Sequence, residues 1–210
     1  MTAILKRPSR VKVNVPGHSR RQFIKAGLAE IAMLAAGSMA FPSIIKADSM
    51  RKTNSKFVVN ALAKALRSIG SPVCITAAMK LETEQNDSEN VYFYLRRAGL
   101  NSSDALIIAH ALKSLQDDSL SALASMSLSY NDAIGDAGTI AMMQALPPSI
   151  RELGLVNCGI GDAGGEAILQ WARHATGLRI MCIEKNHMSE ELKVRLSKLT
   201  QKNAALWVVV

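Results

Sequence analysis

From Leu123 onward, apolar residues recur in one spacing three times over. Leu123, Met126 and Leu128 are followed by Asn131. Ile150, Leu153 and Leu155 are followed by Cys158. Leu178, Met181 and Ile183 are followed by Asn186. The first apolar positions, 123, 150 and 178, stand 27 and 28 residues apart. Within each copy the last two apolar slots alternate with polar or small residues, as expected for a strand with one face buried. Two of the copies continue identically, as Ile134-Gly-Asp-Ala-Gly138 and Ile160-Gly-Asp-Ala-Gly164. Next come Ala141, Met142, Ala145 and Leu146 in one copy and Ala167, Ile168, Trp171 and Ala172 in the other. Spacings of one, three and four predict a helix lying against the strand layer.

A degenerate copy precedes these. Phe93, Leu95, Ala98 and Leu100 fill the strand and turn slots, and Ile107, Ile108, Ala111 and Leu112 fill the helical ones. At the other end, Leu206-Trp-Val-Val-Val210 reads as a closing strand. The strand slots follow the leucine-rich pattern L-x-x-L-x-L-x-x-N/C-x-L, and the period lies in its range. With a full helix in each repeat, residues 90–210 resemble the ribonuclease-inhibitor type of leucine-rich repeat. That resemblance implies an α/β solenoid of about four repeats, with parallel strands on the concave side and helices on the convex side. Such repeats bury their apolar edges only by stacking on neighbours. Asn131, Cys158 and Asn186 are expected at the bend after each strand, hydrogen-bonded to backbone groups left over by the turn.

Before the array, Phe57, Val58, Ala61, Leu62, Ala65, Leu66 and Ile69 keep helical spacing, stopped by Gly70-Ser71-Pro72. Val73 to Leu81 suits strand or helix, and Glu82 to Asn90 is polar and reads as a loop. Residues 48–89 are the expected helical N-terminal cap, because the terminal coil of a solenoid must be shielded.

The formal charge of +8 changes meaning once the chain is divided. Residues 1–47 hold eight Lys and Arg against Glu30, a net of +7, and the remainder holds 17 basic and 16 acidic residues, a net of +1. A body so nearly balanced lacks the excess that displaces counterions from phosphate, so nucleic acid is not an expected partner. In residues 1–47 a basic stretch precedes an apolar one ending in small residues, the layout of a secretory signal. Ser19-Arg20-Arg21-Gln22-Phe23-Ile24-Lys25 resembles the bacterial twin-arginine export signal, departing from it only at Ile24. The resemblance implies handling by the twin-arginine translocase, export in the folded state, and a periplasmic or secreted product. Ile45 and Ala47 suit the −3 and −1 positions of cleavage before Asp48, with Ser38 and Ala40 as a second site. The uncharged run from Ile31 to Ile45 is shorter than the roughly 20 residues that cross a bilayer. Membrane contact is therefore expected only in transit, with an uncleaved anchor as the alternative.

Candidate chemistry is sparse. Three cysteines, Cys74, Cys158 and Cys182, allow buried thiols or at most one disulfide. His18, His110, His174 and His187 are scattered with no metal-ligand spacing, so no metal site is expected. Gly159-Ile-Gly161-Asp-Ala-Gly164 satisfies G-x-G-x-x-G, a phosphate-cradling motif, with Glu184 20 residues beyond Gly164. The same glycines recur as Gly135 and Gly138, so the repeat accounts for them without a cofactor. No catalytic residue and no cofactor are expected.

The strand residues between the core slots face the concave side. They form columns: Tyr92, Ser125, Glu152 and Ile180; Tyr94, Ser127, Gly154 and Cys182; Arg96, Ser129, Val156 and Glu184, rimmed by Arg97, Tyr130, Asn157 and Lys185. Tyr and Arg are frequent interface anchors. Tyr92, Tyr94, Arg96, Arg97, Tyr130, Glu152, Asn157 and Glu184 are therefore the candidate contact residues of a non-enzymatic module binding a protein partner. The alternatives are a cofactor-dependent periplasmic enzyme and an accessory subunit of an exported complex.

Overall fold

The computed structural model describes residues 42–85, 88–115 and 117–210. Helix α1 (Pro42–Ile69) is followed by α2 (Pro72–Glu84), β1 (Val91–Tyr94), α3 (Ser102–Lys113) and the single turn α4 (Asp117–Leu120). Then come β2 (Leu123–Ser127), α5 (Gly135–Met143), β3 (Glu152–Gly154), α6 (Asp162–Ala172), β4 (Ile180–Cys182), α7 (Glu190–Ser197), α8 (Leu199–Lys202) and β5 (Trp207–Val209). The strands form one parallel sheet in the order β1-β2-β3-β4-β5. Strand neighbours in sequence are thus neighbours in space. Each is joined by a helical crossover packed on its predecessor, α3 against α5 and α5 against α6. This is a leucine-rich-repeat solenoid.

The register matches the expected alignment. Phe93, Met126, Leu153, Met181 and Val208 stand opposite one another across the sheet. Leu123, Ile150 and Leu178 are all fully buried. A bulge between Val91 and Tyr92 absorbs the irregularity of the first copy. Leu206 to Val210 does close the sheet, with Trp207 beside Ile180 and Val209 beside Cys182.

The bend residues hold the coils together. Asn131 Oδ1 accepts hydrogen bonds from the amides of Ala98 (2.8 Å) and Leu100 (3.2 Å), while its Nδ2 donates to the carbonyls of Leu95 (2.9 Å) and Leu128 (2.7 Å). Asn186 repeats the arrangement two coils later. Its Oδ1 accepts from Cys158 (2.9 Å) and Ile160 (3.2 Å), and its Nδ2 donates to Leu155 (2.8 Å) and Ile183 (2.7 Å). Each amide therefore satisfies backbone groups of two coils at once, in a place closed to water. Cys158 occupies the intermediate bend, its Sγ 3.3 Å from the Leu128 carbonyl. Burial pushes this thiol up to about 11, against neighbouring backbone hydrogen bonds from Asn131 and Tyr130 that pull it down. No disulfide joins Cys74, Cys158 or Cys182.

Several expectations shift before the array. The helix read from Phe57 onward begins at Pro42, so Ala47 and Asp48 lie inside α1. Its buried stripe is Val58, Val59, Leu62, Ala63, Ala65 and Leu66, leaving Phe57 52% exposed. Four-residue spacing from Val58 and Val59, rather than from Phe57, defines the packed face. Gly70 ends the helix at φ 78°, and Val73 to Leu81 resolves as helix, because Ser71 Oγ caps the Cys74 amide and Pro72 occupies the first turn. That helix also takes Glu82 to Glu84 from the expected loop. Helix α2 packs on α1, and α1 packs on α3, α4 and β1, over the first coil.

Candidate interaction surface

The two Gly-Asp-Ala-Gly turns connect repeats through their aspartates. Asp136 Oδ1 accepts from the amides of Gly161 (2.7 Å) and Gly164 (2.9 Å), so it caps the start of α6 from the preceding coil. Asp162 Oδ1 likewise accepts from the Ser189 amide (2.6 Å), just before α7. The carboxylate favours the positive end of the helix it reaches. It also occupies the place where G-x-G-x-x-G would seat a phosphate, and those amides are already used. Gly164 is small for the same reason: a Cβ there would lie 2.7 Å from Asp136 Oδ1 and 2.8 Å from Ile160 Cγ2. Among the described residues, no group of three or more His, Cys, Asp and Glu could hold a metal ion. His110 and His174 are exposed on or beside helices.

On the strand face the columns align as expected through Tyr92, Ser125, Glu152 and Ile180, and through Tyr94, Ser127, Gly154 and Cys182. The face is less open than simple alternation suggests. Ser125 and Ser129 are each 2% exposed and Val156 is 6% exposed. Ser125 Oγ donates to Glu152 Oε2 (2.9 Å), and Ser129 Oγ accepts from the Val156 amide (3.1 Å). The middle is a narrow polar floor, and a Cβ on Gly154 would lie 2.7 Å from Ser127 Oγ, so a larger residue there would have to displace that hydroxyl.

The candidate residues fall into separate groups on this floor. Tyr92 and Tyr94 stand at the β1 end, 42% and 55% exposed. Burial raises the Tyr94 phenol, a hydrogen bond with Ser125 opposes the rise, and the Glu152 carboxylate adds to it. Tyr94, Ser125 and Glu152 are therefore one local set. Arg96, Arg97 and Tyr130 form a second: the guanidinium carbons lie 5.3 and 4.7 Å from the centre of the Tyr130 ring. Asn157 and Glu184 lie on later coils, joined by the Asn157 amide to the Glu184 carbonyl (3.0 Å). One carboxylate oxygen of Glu184 is buried without a hydrogen-bond partner. Arg97, Tyr130, Asn157 and Lys185 share a left-handed backbone, with φ of 54°, 65°, 51° and 63°. This conformation, costly outside glycine, ends each strand and turns the chain out of the sheet.

Two contributors escape a reading of strand columns alone. Gln85, at the end of α2, accepts from the Tyr92 amide (2.8 Å) and donates to the Tyr92 carbonyl (2.7 Å). Its carboxamide stands in for a neighbouring strand and blunts the outer edge of β1. Below Tyr92 and Tyr94, this junction leaves a cavity of about 340 Å³ lined also by Ala77, Leu81 and Gln85. The second contributor is Trp207, 52% exposed, which extends the Tyr92 column at the far end. Its alternation with Val208 in the closing strand was the signal for it. The export residues Ser19, Arg20, Arg21, Phe23, Ile24 and Lys25 lie outside the described residues.

The stacked coils have the fold of a leucine-rich-repeat solenoid. The family described as Leucine Rich repeat matches residues 147–169, the coil from Pro147 to Leu169. A solved structure titled "Structure of Chaetomium Mex67:Mtr2 subunits" is similar at 15% identity, over 55% of this chain and 76% of that one, with a TM-score of 0.41. No curated protein sequence matches the chain.

Proposed function

We propose that this protein is an exported, non-enzymatic interaction module that binds a protein partner through its concave strand face. The observation that carries the reading is the aromatic pair Tyr92 and Tyr94, exposed side by side at one end of the sheet. In the strands between β1 and β5, the core slots Met126, Leu153 and Met181 are buried by stacking. Interface anchors are typically aromatic or arginine side chains set on a rigid base, and the hydrogen-bonded coils supply that base. The nucleotide alternative loses its footing where Asp136 takes the Gly161 and Gly164 amides. The domain plan that suits this role is an export signal over 1–47, a helical cap over 48–89 and the repeat array over 90–210.

Export rests on Ser19 to Lys25. No helix among the described residues is long and apolar enough to cross a membrane. The test pairs two variants in the producing bacterium. R20K/R21K should stop translocase-dependent export. Y92A/Y94A, folded by circular dichroism, should lose a partner that the unaltered protein captures by cross-linking in periplasmic extract. Undiminished capture would reject the concave face, and undiminished export would reject the twin-arginine route.

A further inference from the structure

Arg96 and Arg97 are adjacent, exposed, and stacked over one ring, 5.3 and 4.7 Å from the centre of Tyr130. The backbone brings the Arg97 and Tyr130 turns side by side. The Arg97 amide donates to the Ser129 carbonyl (3.1 Å) and the Tyr130 amide to the Val156 carbonyl (2.7 Å), so the two turns are neighbouring rungs. The left-handed backbone at Arg97 and Tyr130 fixes the direction in which both side chains leave the sheet. The ring offsets part of the charge. Yet two guanidiniums sharing it repel each other, and the ion pairs among the described residues involve Arg51, Arg67, Lys80, Lys193 and Arg195, not these two. A carboxylate placed between them would receive charge-assisted hydrogen bonds from both.

Deepening the concave-face reading and resting on it, we propose that Arg96, Arg97 and Tyr130 form an acceptor site for an acidic side chain, Asp or Glu, of the partner protein. Charge on the rest of the face selects that occupant over a polyanion. Glu152 and Glu184 lie on the next two coils and would repel a run of phosphates. The chain from residue 48 carries a net charge of only +1. A single carboxylate at the arginine end, with uncharged neighbours resting on Tyr92 and Tyr94, brings no further negative charge toward Glu152.

The probe is a short synthetic peptide with one Glu among Ala and Ser residues, titrated calorimetrically into the folded protein at low salt. Its Lys counterpart and single-stranded DNA of matched length serve as comparisons. Binding of the Glu peptide should weaken ~10-fold or more in R96Q/R97N, since Asn is the residue already found at the equivalent Asn157. The single variant R96Q, outside the left-handed turn, should show a smaller loss and covers the case in which the double variant folds poorly. Y130F should bind normally and Y130L weakly. An equal loss in R173Q/K198Q, no measurable binding of the Glu peptide, or tighter binding of DNA would overturn the site. If partner capture fails in Y92A/Y94A but survives in R96Q/R97N, the acidic-residue site is wrong while the concave face stands.

Discussion

Replacing Asn131 with alanine should be among the most damaging single changes available in this chain. The side chain is 1% exposed and makes four hydrogen bonds, to Ala98, Leu100, Leu95 and Leu128. Each such bond contributes about 1 kcal/mol net, and a backbone group left buried and unpaired costs about 1–3 kcal/mol. Four orphaned groups, some regaining water as the turn loosens, give about 3–5 kcal/mol. That is a large share of the ~5–15 kcal/mol that holds an ordinary domain folded. N186A should fall in the same range, because its four bonds are the same in kind and length. C158A should cost about 1–2 kcal/mol, since the thiol has one hydrogen to give. The assay is urea unfolding followed by far-ultraviolet circular dichroism, comparing midpoints at constant slope. N131D sharpens the test: it loses both donors and turns a carboxylate toward the Leu95 and Leu128 carbonyls. A carboxyl with its pKa raised by folding contributes most below its unfolded value, so the deficit of N131D should shrink as pH falls toward about 4 and change little below it. A loss under about 1 kcal/mol for N131A, or equal losses for N131A and C158A, would refute the claim that these amides tie one coil to the next.

Other outcomes follow from the same geometry. D136A should destabilise by about 1–3 kcal/mol by orphaning the Gly161 and Gly164 amides, with D136N intermediate, read by the same unfolding assay. G164A should cost as much or more, since its methyl group would press on Asp136 and Ile160. Cys158, pushed up to about 11, should resist a thiol reagent at pH 8 until the protein is unfolded, so prompt labelling of C74S/C182S would contradict its burial. With its folded pKa raised, its contribution is complete below the unfolded thiol value and falls as pH climbs past it. The exposed Arg67–Glu82 pair, 2.6 and 2.7 Å apart, holds the Glu82 carboxyl below its usual range through hydrogen bonding to Arg67. Any stability lost in E82Q should therefore be seen at neutral pH and vanish as pH falls through the carboxylate range.

The repeated spacing at 123, 150 and 178 determined most of this fold in advance. A solenoid coil meets only its neighbours, so a short local pattern dictates both the coil and its contact. The roles of Asn131, Cys158 and Asn186, the strand columns and the closing strand were legible for that reason. Tertiary structure decided what depended on partners distant in sequence. Val73 to Leu81 became a helix beside α1, and Phe57 was left outside because Val59 and Ala63 faced the core instead. Alternation assigned Ser125, Ser129 and Val156 to an open face, but curvature and neighbouring side chains closed them off. The pairing of Arg96 and Arg97 with Tyr130 joins two turns about thirty residues apart, and Asp136 reaches glycines one coil ahead. Periodicity fixes which residues share a column; which of them touch depends on twist, side-chain length and the space a neighbour leaves.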